Sequence, residues 1–244
     1  LIPPPKRCND SMNALISLLK TEKYDACIVW QLEILGLIPQ SLNVPTCIIP
    51  MFDGSNNYPP EHFRLLSQCH ILNFSYNLHL QTRDLFDHSM LVQYFPEVNE
   101  DKRVTDWKSL RALFWCRRPE EISPETAYKL VQGQVGSFHA HLASDSGDEI
   151  QMEPWLISAQ NFTSSKWFEA RDDFYYLLEA SNVFICPRLT EGIGMALLEA
   201  LSRGMLVIAP AFPVHNEYIF HNINGILFEP QNFKNLNLSA AERL

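Results

Sequence analysis

Two glutamates eight positions apart, Glu191 and Glu199, frame the stretch Pro187-Arg188-Leu189-Thr190-Glu191-Gly192-Ile193-Gly194-Met195-Ala196-Leu197-Leu198-Glu199-Ala200. It follows an apolar run ending at Cys186 and reads as strand, glycine-bearing turn, helix. The first amides of such a helix point outward and carry partial positive charge, so a phosphate can bind there. Gly192 and Gly194 let an anion approach the backbone closely. At 1.5 Å per residue the two carboxylates stand about 10 to 12 Å apart along the axis, the span from sugar to ribose in a sugar nucleotide. The plainer reading of the same spacing makes Glu191 a helix-start carboxylate placed by the dipole and Glu199 part of a solvated stripe. Spacing alone leaves the two readings even. Ala196, Leu197, Leu198, Ala200 and Leu201 surround Glu199 with apolar side chains, and a carboxylate buried there requires partners. The third glycine of a dinucleotide fingerprint is missing, since position 197 is leucine.

The elements that must carry these residues show as apolar, β-branched runs separated by helical stretches. In the first half the strands are expected at 25–30, 46–51, 70–74 and 90–95, after a stiff Pro3-Pro4-Pro5 connector and a helix capped by Asn9, Asp10 or Ser11 and running to about Lys20. The charged stretch 96–108 interrupts the alternation and marks a domain boundary. Strands at 110–116, 137–142, 182–186 and 205–209 follow, with helices near 124–132, 167–180 and 193–203. Strand and helix in alternation imply a parallel sheet. The expected fold is α/β with two Rossmann-like domains, residues 1–100 and 101–244, the amino-terminal one short or incomplete.

Composition narrows the function classes. The 244 residues are 46% hydrophobic and 19% charged, which is globular and excludes disorder and fibrous repeats. A net charge of -9 with no basic cluster argues against a nucleic-acid partner. No apolar run has the length of a membrane span, so a soluble, cytoplasmic protein is expected, with peripheral contact to a membrane open to it. Six cysteines without a C-x-x-C pair read as buried free thiols of a reducing compartment. The sequons at Asn73, Asn161 and Asn237 carry little weight. The chain opens on leucine without a signal-peptide pattern and reads as a piece of a longer one.

Several segments in order then resemble one family. Glu191 and Glu199 as an E-x7-E pair, Glu199-Ala200-Leu201-Ser202-Arg203-Gly204 with Val207-Ile208, Asn216-Glu217-Tyr218-Ile219 and Asn224-Gly225-Ile226-Leu227-Phe228 are similar to the carboxy-terminal domain of the retaining glycosyltransferases of family 4 (glycosyl transferases group 1), which have the GT-B fold. The close likeness runs from Val183 to Pro230.

The resemblance implies a set of roles. Glu191 with Gly192, Ile193, Gly194 and Met195 would meet the donor sugar and phosphates, and Glu199 the ribose hydroxyls. The family places a basic residue after the first strand of this domain to stabilise the leaving diphosphate, which makes Arg117 or Arg118 the candidate; a guanidinium fork suits phosphate. Where the family adds a lysine this chain has Pro119-Glu120-Glu121. In Met51-Phe52-Asp53-Gly54, Asp53 is a candidate beside the reacting sugar, although Asp-Gly is also a common turn. A solvated strand end is the plainer reading of the arginine pair. His70, His79 and His88 lack ligand spacing, and Tyr175 and Tyr176, on the helix before the strand at 182–186, could approach a base, although an aromatic pair at helical positions reads first as core.

The function implied is transfer of a hexosyl or deoxyhexosyl unit from a nucleotide sugar to a hydroxyl of a saccharide, lipid-linked or protein-linked glycan acceptor, with retention, in polysaccharide, glycolipid or glycan assembly. No cofactor and no metal are expected, since no D-x-D pattern is present. The other reading is a non-catalytic or fragmentary GT-B module that binds nucleotide sugar or a partner domain. No acid and base constellation supports a sugar-nucleotide epimerase.

Overall fold

A computed structural model describes residues 5–98, 100–168 and 170–243, and the chain divides into two compact units, 1–94 and 95–244. The first unit opens with α1 (Pro5–Thr21) and continues β1 (Cys27–Trp30), α2 (Leu37–Ser41), β2 (Thr46–Ile49), α3 (Phe52–Ser55), α4 (Pro60–Arg64), β3 (His70–Asn73), α5 (Tyr76–Thr82) and β4 (Ser89–Leu91). Asn9, Asp10 and Ser11 lie inside α1 rather than capping it, because Pro5 can take the first helical position, where its missing N–H costs nothing. Pro3 and Pro4 lie outside the described residues. The fourth strand ends at Leu91, and residues 92–98 form no regular element.

The four strands pair in parallel in their chain order, β1-β2-β3-β4. Right-handed crossovers that all step in one direction place every connecting helix on the same face of a sheet. The registers bear this out. Ile48, Ile71 and Asn73 on one face are 0–1% exposed, while Ile28, Trp30 and Met90 on the other are 52–69% exposed.

The second unit holds β5 (Arg111–Cys116), α6 (Pro124–Val131), β6 (Ser137–Leu142), α7 (Pro154–Ile157), β7 (Phe162–Ser165), α8 (Arg171–Glu179), β8 (Val183–Ile185), α9 (Met195–Ser202), β9 (Leu206–Pro210), α10 (His215–Tyr218) and β10 (Ile226–Phe228). All six strands are parallel, in the order β10-β9-β8-β5-β6-β7. The chain thus steps outward from β5 to β7, returns past β5 and steps the other way, so crossovers of one hand cover both faces. Consequently β8 and β9 are buried along their whole length. Phe114, Phe138, Leu130, Val131, Ile185 and Ile208 anchor the core on one face of this sheet. Leu113, Phe184 and Val207 pack on the other.

Candidate functional site

The reversal of strand order falls between β5 and β8, and in an open parallel sheet ligands bind at the carboxyl ends of the strands at such a point. The loop after β5 carries Arg117 and Arg118, and the loop after β8 carries Pro187 to Gly194. The topology thus brings the two groups of candidates in this unit to neighbouring strand ends. Asp53 lies in the first turn of α3, in the first unit.

Gly194 caps α9 with φ +79, the left-handed region, and no side chain caps the helix. The first intrahelical bond runs from the Leu198 N–H to the Gly194 carbonyl at 3.0 Å. The amides of Met195, Ala196 and Leu197 therefore lie ahead of the helical ladder, where an anion is favoured. A Cβ on Gly194 would stand 3.2 Å from Leu197 Cδ2, so both conformation and space call for glycine.

Glu199 lies one face along α9 and is partly buried, and the Tyr175 hydroxyl donates to its Oε1 at 3.2 Å. Tyr175 is half-buried rather than core, the first of its two expected readings, and stands beside the aromatic cavity. Lys102 and Arg203 stand over its ring at 5.6 and 5.4 Å, and both cations reach Glu179. The two cations fix the ring from α8 so that its hydroxyl meets the carboxylate. Tyr176, one position on, is 72% exposed, because neighbouring positions on a helix face different ways.

Glu199 also lines a cavity of about 330 Å³ with Trp115, His141, Phe168, Phe174 and Met195. The His141 ring stacks on Phe168 with centroids 4.1 Å apart and 9° between planes. Its Nδ1 is 2.9 Å from Ser165 Oγ, which is also 2.9 Å from His139 Nε2; His139 Nδ1 in turn is 2.8 Å from Thr163 Oγ1. The parallel register of β6 on β7 sets up this ladder, pairing His139 with Thr163 and His141 with Ser165. Burial, with a smaller contribution from His139, pushes the His141 pKa down to about 4. The ring is neutral at physiological pH.

The arginine pair is held by carboxylates. Arg117 Nε donates to Asp145 Oδ1 at 2.9 Å while its guanidinium covers the Trp115 ring at 5.3 Å, beside the aromatic cavity. Arg118 reaches Asp145 at 3.4 Å and Glu121 at 2.9 Å. The second oxygen of Glu121 accepts the Leu189 N–H at 2.8 Å. Glu121 thereby ties the loop after β5 to the loop after β8.

Glu191 is 8% exposed and forms an ion pair with Arg188, itself 5% exposed, at 3.5 Å. His215, at the start of α10, is fully buried, and its ring nitrogens have no hydrogen-bond partner among the described residues. Burial, helped by the Arg188 charge, lowers its pKa to about 3. Arg188, His215 and the aromatic cavity are site features that no sequence motif marks. Only His139-Ala140-His141 carried a legible signal, since alternate positions of a strand share a face. Among the described residues no group of three or more His, Cys, Asp or Glu side chains is placed to hold a metal ion. No helix among them is long and apolar enough to cross a membrane.

Comparison with known proteins agrees with this geometry. Residues 151–242 match the family model of glycosyl transferases group 1. No curated protein matches the chain by sequence. Among solved structures, the sucrose-phosphate synthase of Thermosynechococcus elongatus is similar over 94% of this chain and 68% of its own, with a TM-score of 0.66 at 14% identity. Anabaena HepE, solved with UDP and glucose, is similar over 92% of this chain and 69% of its own, with a TM-score of 0.65 at 12% identity. TarM of S. aureus has a TM-score of 0.62 at 15% identity, covering 91% of this chain, which spans only 49% of TarM. The chain has the α/β architecture of the GT-B glycosyltransferases, two units of parallel sheet, the first of them short.

Proposed function

We propose that the protein transfers a sugar from a nucleotide-sugar donor to a hydroxyl of a glycan or glycolipid acceptor, with retention at the anomeric carbon and without a metal ion. The observation that carries this reading is Glu199, which lines an aromatic cavity from the same helix whose first amides stand ahead of the ladder. A nucleotide fits that order of chemistry. Its base enters among Trp115, Phe168 and Phe174, its ribose hydroxyls donate to the carboxylate that Tyr175 holds, and its diphosphate rests on the amides from Ile193 to Leu197. The family match over 151–242 and the UDP and glucose bound to HepE support a nucleotide-sugar donor.

As the bond from anomeric carbon to phosphate oxygen breaks, the electron pair leaves with the diphosphate. Helix amides and the guanidinium of Arg117 or Arg118 are the charges this chain sets near that position, and preorganised charge is the main source of stabilisation for such a step. The acceptor oxygen attacks from the face the diphosphate leaves, and its proton goes to the departing phosphate oxygen. Glu191, held by Arg188, is assigned to the donor sugar. One feature favours the second reading, a nucleotide-sugar-binding module without transfer: Glu191 is almost fully buried in its pair with Arg188.

The test is a thermal-shift panel of UDP, GDP, ADP, dTDP and CMP and their sugar conjugates on wild type and Glu199→Ala. A ligand at 100 times its Kd stabilises a fold by about 2.7 kcal/mol. One base family should raise the wild-type melting temperature and leave the variant unmoved. If none does, the donor assignment is wrong. Binding without release of nucleoside diphosphate in the presence of a glycan mixture would favour the module over the enzyme.

A further inference from the structure

Trp115, His141 and Ser165 stand abreast across the second sheet: Trp115 on β5 is in register with His141 on β6, and His141 with Ser165 on β7. The bond between His141 Nδ1 and Ser165 Oγ turns that nitrogen toward β7. The nitrogens of an imidazole point away from each other, so Nε2 faces back toward Trp115, whose ring centroid lies 5.7 Å from that of His141. Nε2 makes no hydrogen bond among the described residues, and the ring lines the aromatic cavity. Burial lowers the pKa of His139 as it does that of His141, so each ring is neutral and carries a single N–H.

A neutral imidazole that donates from one nitrogen accepts at the other. Ser165 Oγ lies between His139 Nε2 and His141 Nδ1; its single proton goes to one of them, and it accepts from the other. The tautomers of the two rings are therefore tied together. In one order Thr163 donates to His139 Nδ1, His139 Nε2 to Ser165 and Ser165 to His141 Nδ1, which leaves the N–H of His141 on Nε2 for an acceptor in the cavity. In the reverse order His141 Nδ1 donates to Ser165, Ser165 to His139 Nε2 and His139 Nδ1 to Thr163, and His141 Nε2 becomes an acceptor. Both orders satisfy every bond of the ladder. Passing between them rotates the hydroxyls and exchanges ring protons through water, and no group gains or loses charge. We propose that His141 Nε2 reads the exocyclic group of the nucleotide base, and that the ladder sets it as donor to a keto base and as acceptor from an amino base, so that the cavity admits both. This specificity role rests on the nucleotide reading given above.

Long-range proton–nitrogen correlation NMR on the full chain, labelled at its histidines and bound in turn to UDP, CDP, GDP and ADP, tests the assignment, with each affinity read by isothermal titration. For whichever base size binds, the keto member should place the His141 proton on Nε2 and the amino member on Nδ1. His139 should switch with it, and the two Kd values should agree within about threefold. Ser165→Ala, on an edge strand, should uncouple the rings, so that His139 keeps one tautomer with both members. His141→Phe, which keeps a ring on Phe168, should weaken both members by roughly fivefold. The inference is overturned if His141 carries its proton on the same nitrogen with both members, if only the keto or only the amino member binds, or if His141→Phe binds both as wild type does. Nucleotide binding with any of these results leaves the donor reading standing and removes the base-reading role alone. A protein that binds no nucleotide loses both.

Discussion

Glu191 and Arg188 show what a motif residue costs a fold. Both side chains are nearly out of water and pair at 3.5 Å, and removing one partner of a buried pair costs about 3 to 5 kcal/mol because the other charge stays behind. Arg188→Met should lower stability by about that much in urea unfolding, and Arg188→Met with Glu191→Gln should recover most of it. His215 gives a pH dependence. Its pKa is about 3 in the fold, lowered by burial and Arg188, against roughly 6.5 in the unfolded chain. Between those values the unfolded state binds more protons, so stability falls as pH drops from about 6.5, by up to about 1.4 kcal/mol per pH unit. His141, at about 4 and lowered by burial and His139, adds to the same slope. His215→Leu removes this titrating group, so its unfolding free energy should fall less steeply below about pH 6.5 than that of wild type.

Among the elements, α9 joins fold and site most directly. Its start depends on a left-handed residue, and a side chain there costs about 1 to 2 kcal/mol, with Leu197 Cδ2 only 3.2 Å from the new Cβ. Gly194→Ala should therefore destabilise the protein by that amount in chemical unfolding. Because it shifts the first amides of the helix, it should also raise the Kd for whichever nucleotide the panel identifies. Helix α8 lines the cavity with Phe174 and reaches Glu199 through Tyr175. Tyr175→Phe keeps the ring beside Lys102 and Arg203 and removes the hydroxyl from Glu199, so nucleotide affinity should drop by about 1 kcal/mol, read by isothermal titration.

Across the whole molecule the two sheets differ in strand order, and that difference sets their independence. The second unit reverses direction about β5 and covers both faces of its sheet, and a parallel sheet is stable when covered on both sides. Residues 95–244 expressed alone should unfold cooperatively in calorimetry and keep the nucleotide affinity of the full chain. The first unit steps one way only and leaves Ile28, Trp30 and Met90 exposed on one face. Residues 1–94 alone should bind a hydrophobic dye and aggregate, and Trp30→Thr should reduce the dye signal.

The alternation of apolar runs and helical stretches was enough to place β2, β3, β5, β6, β8 and β9, since these strands bury at least one face and a buried face must be apolar; β1 was legible because Cys27-Ile28-Val29-Trp30 is apolar throughout, although Ile28 and Trp30 are exposed. β7 and β10 escaped notice. The first is Phe162-Thr163-Ser164-Ser165, an edge strand whose polar residues face His139 and His141, and the second spans three residues. Glu191, Gly194 and Glu199 were legible because backbone conformation and helix spacing are local properties, written in consecutive residues. The partners that give those residues their state were not: Tyr175 for Glu199, Glu121 for the Leu189 amide, and the His141 and Phe168 stack join positions far apart in the chain. Strand order alone brings them together, and strand order is set by long-range pairing that no short window of sequence records.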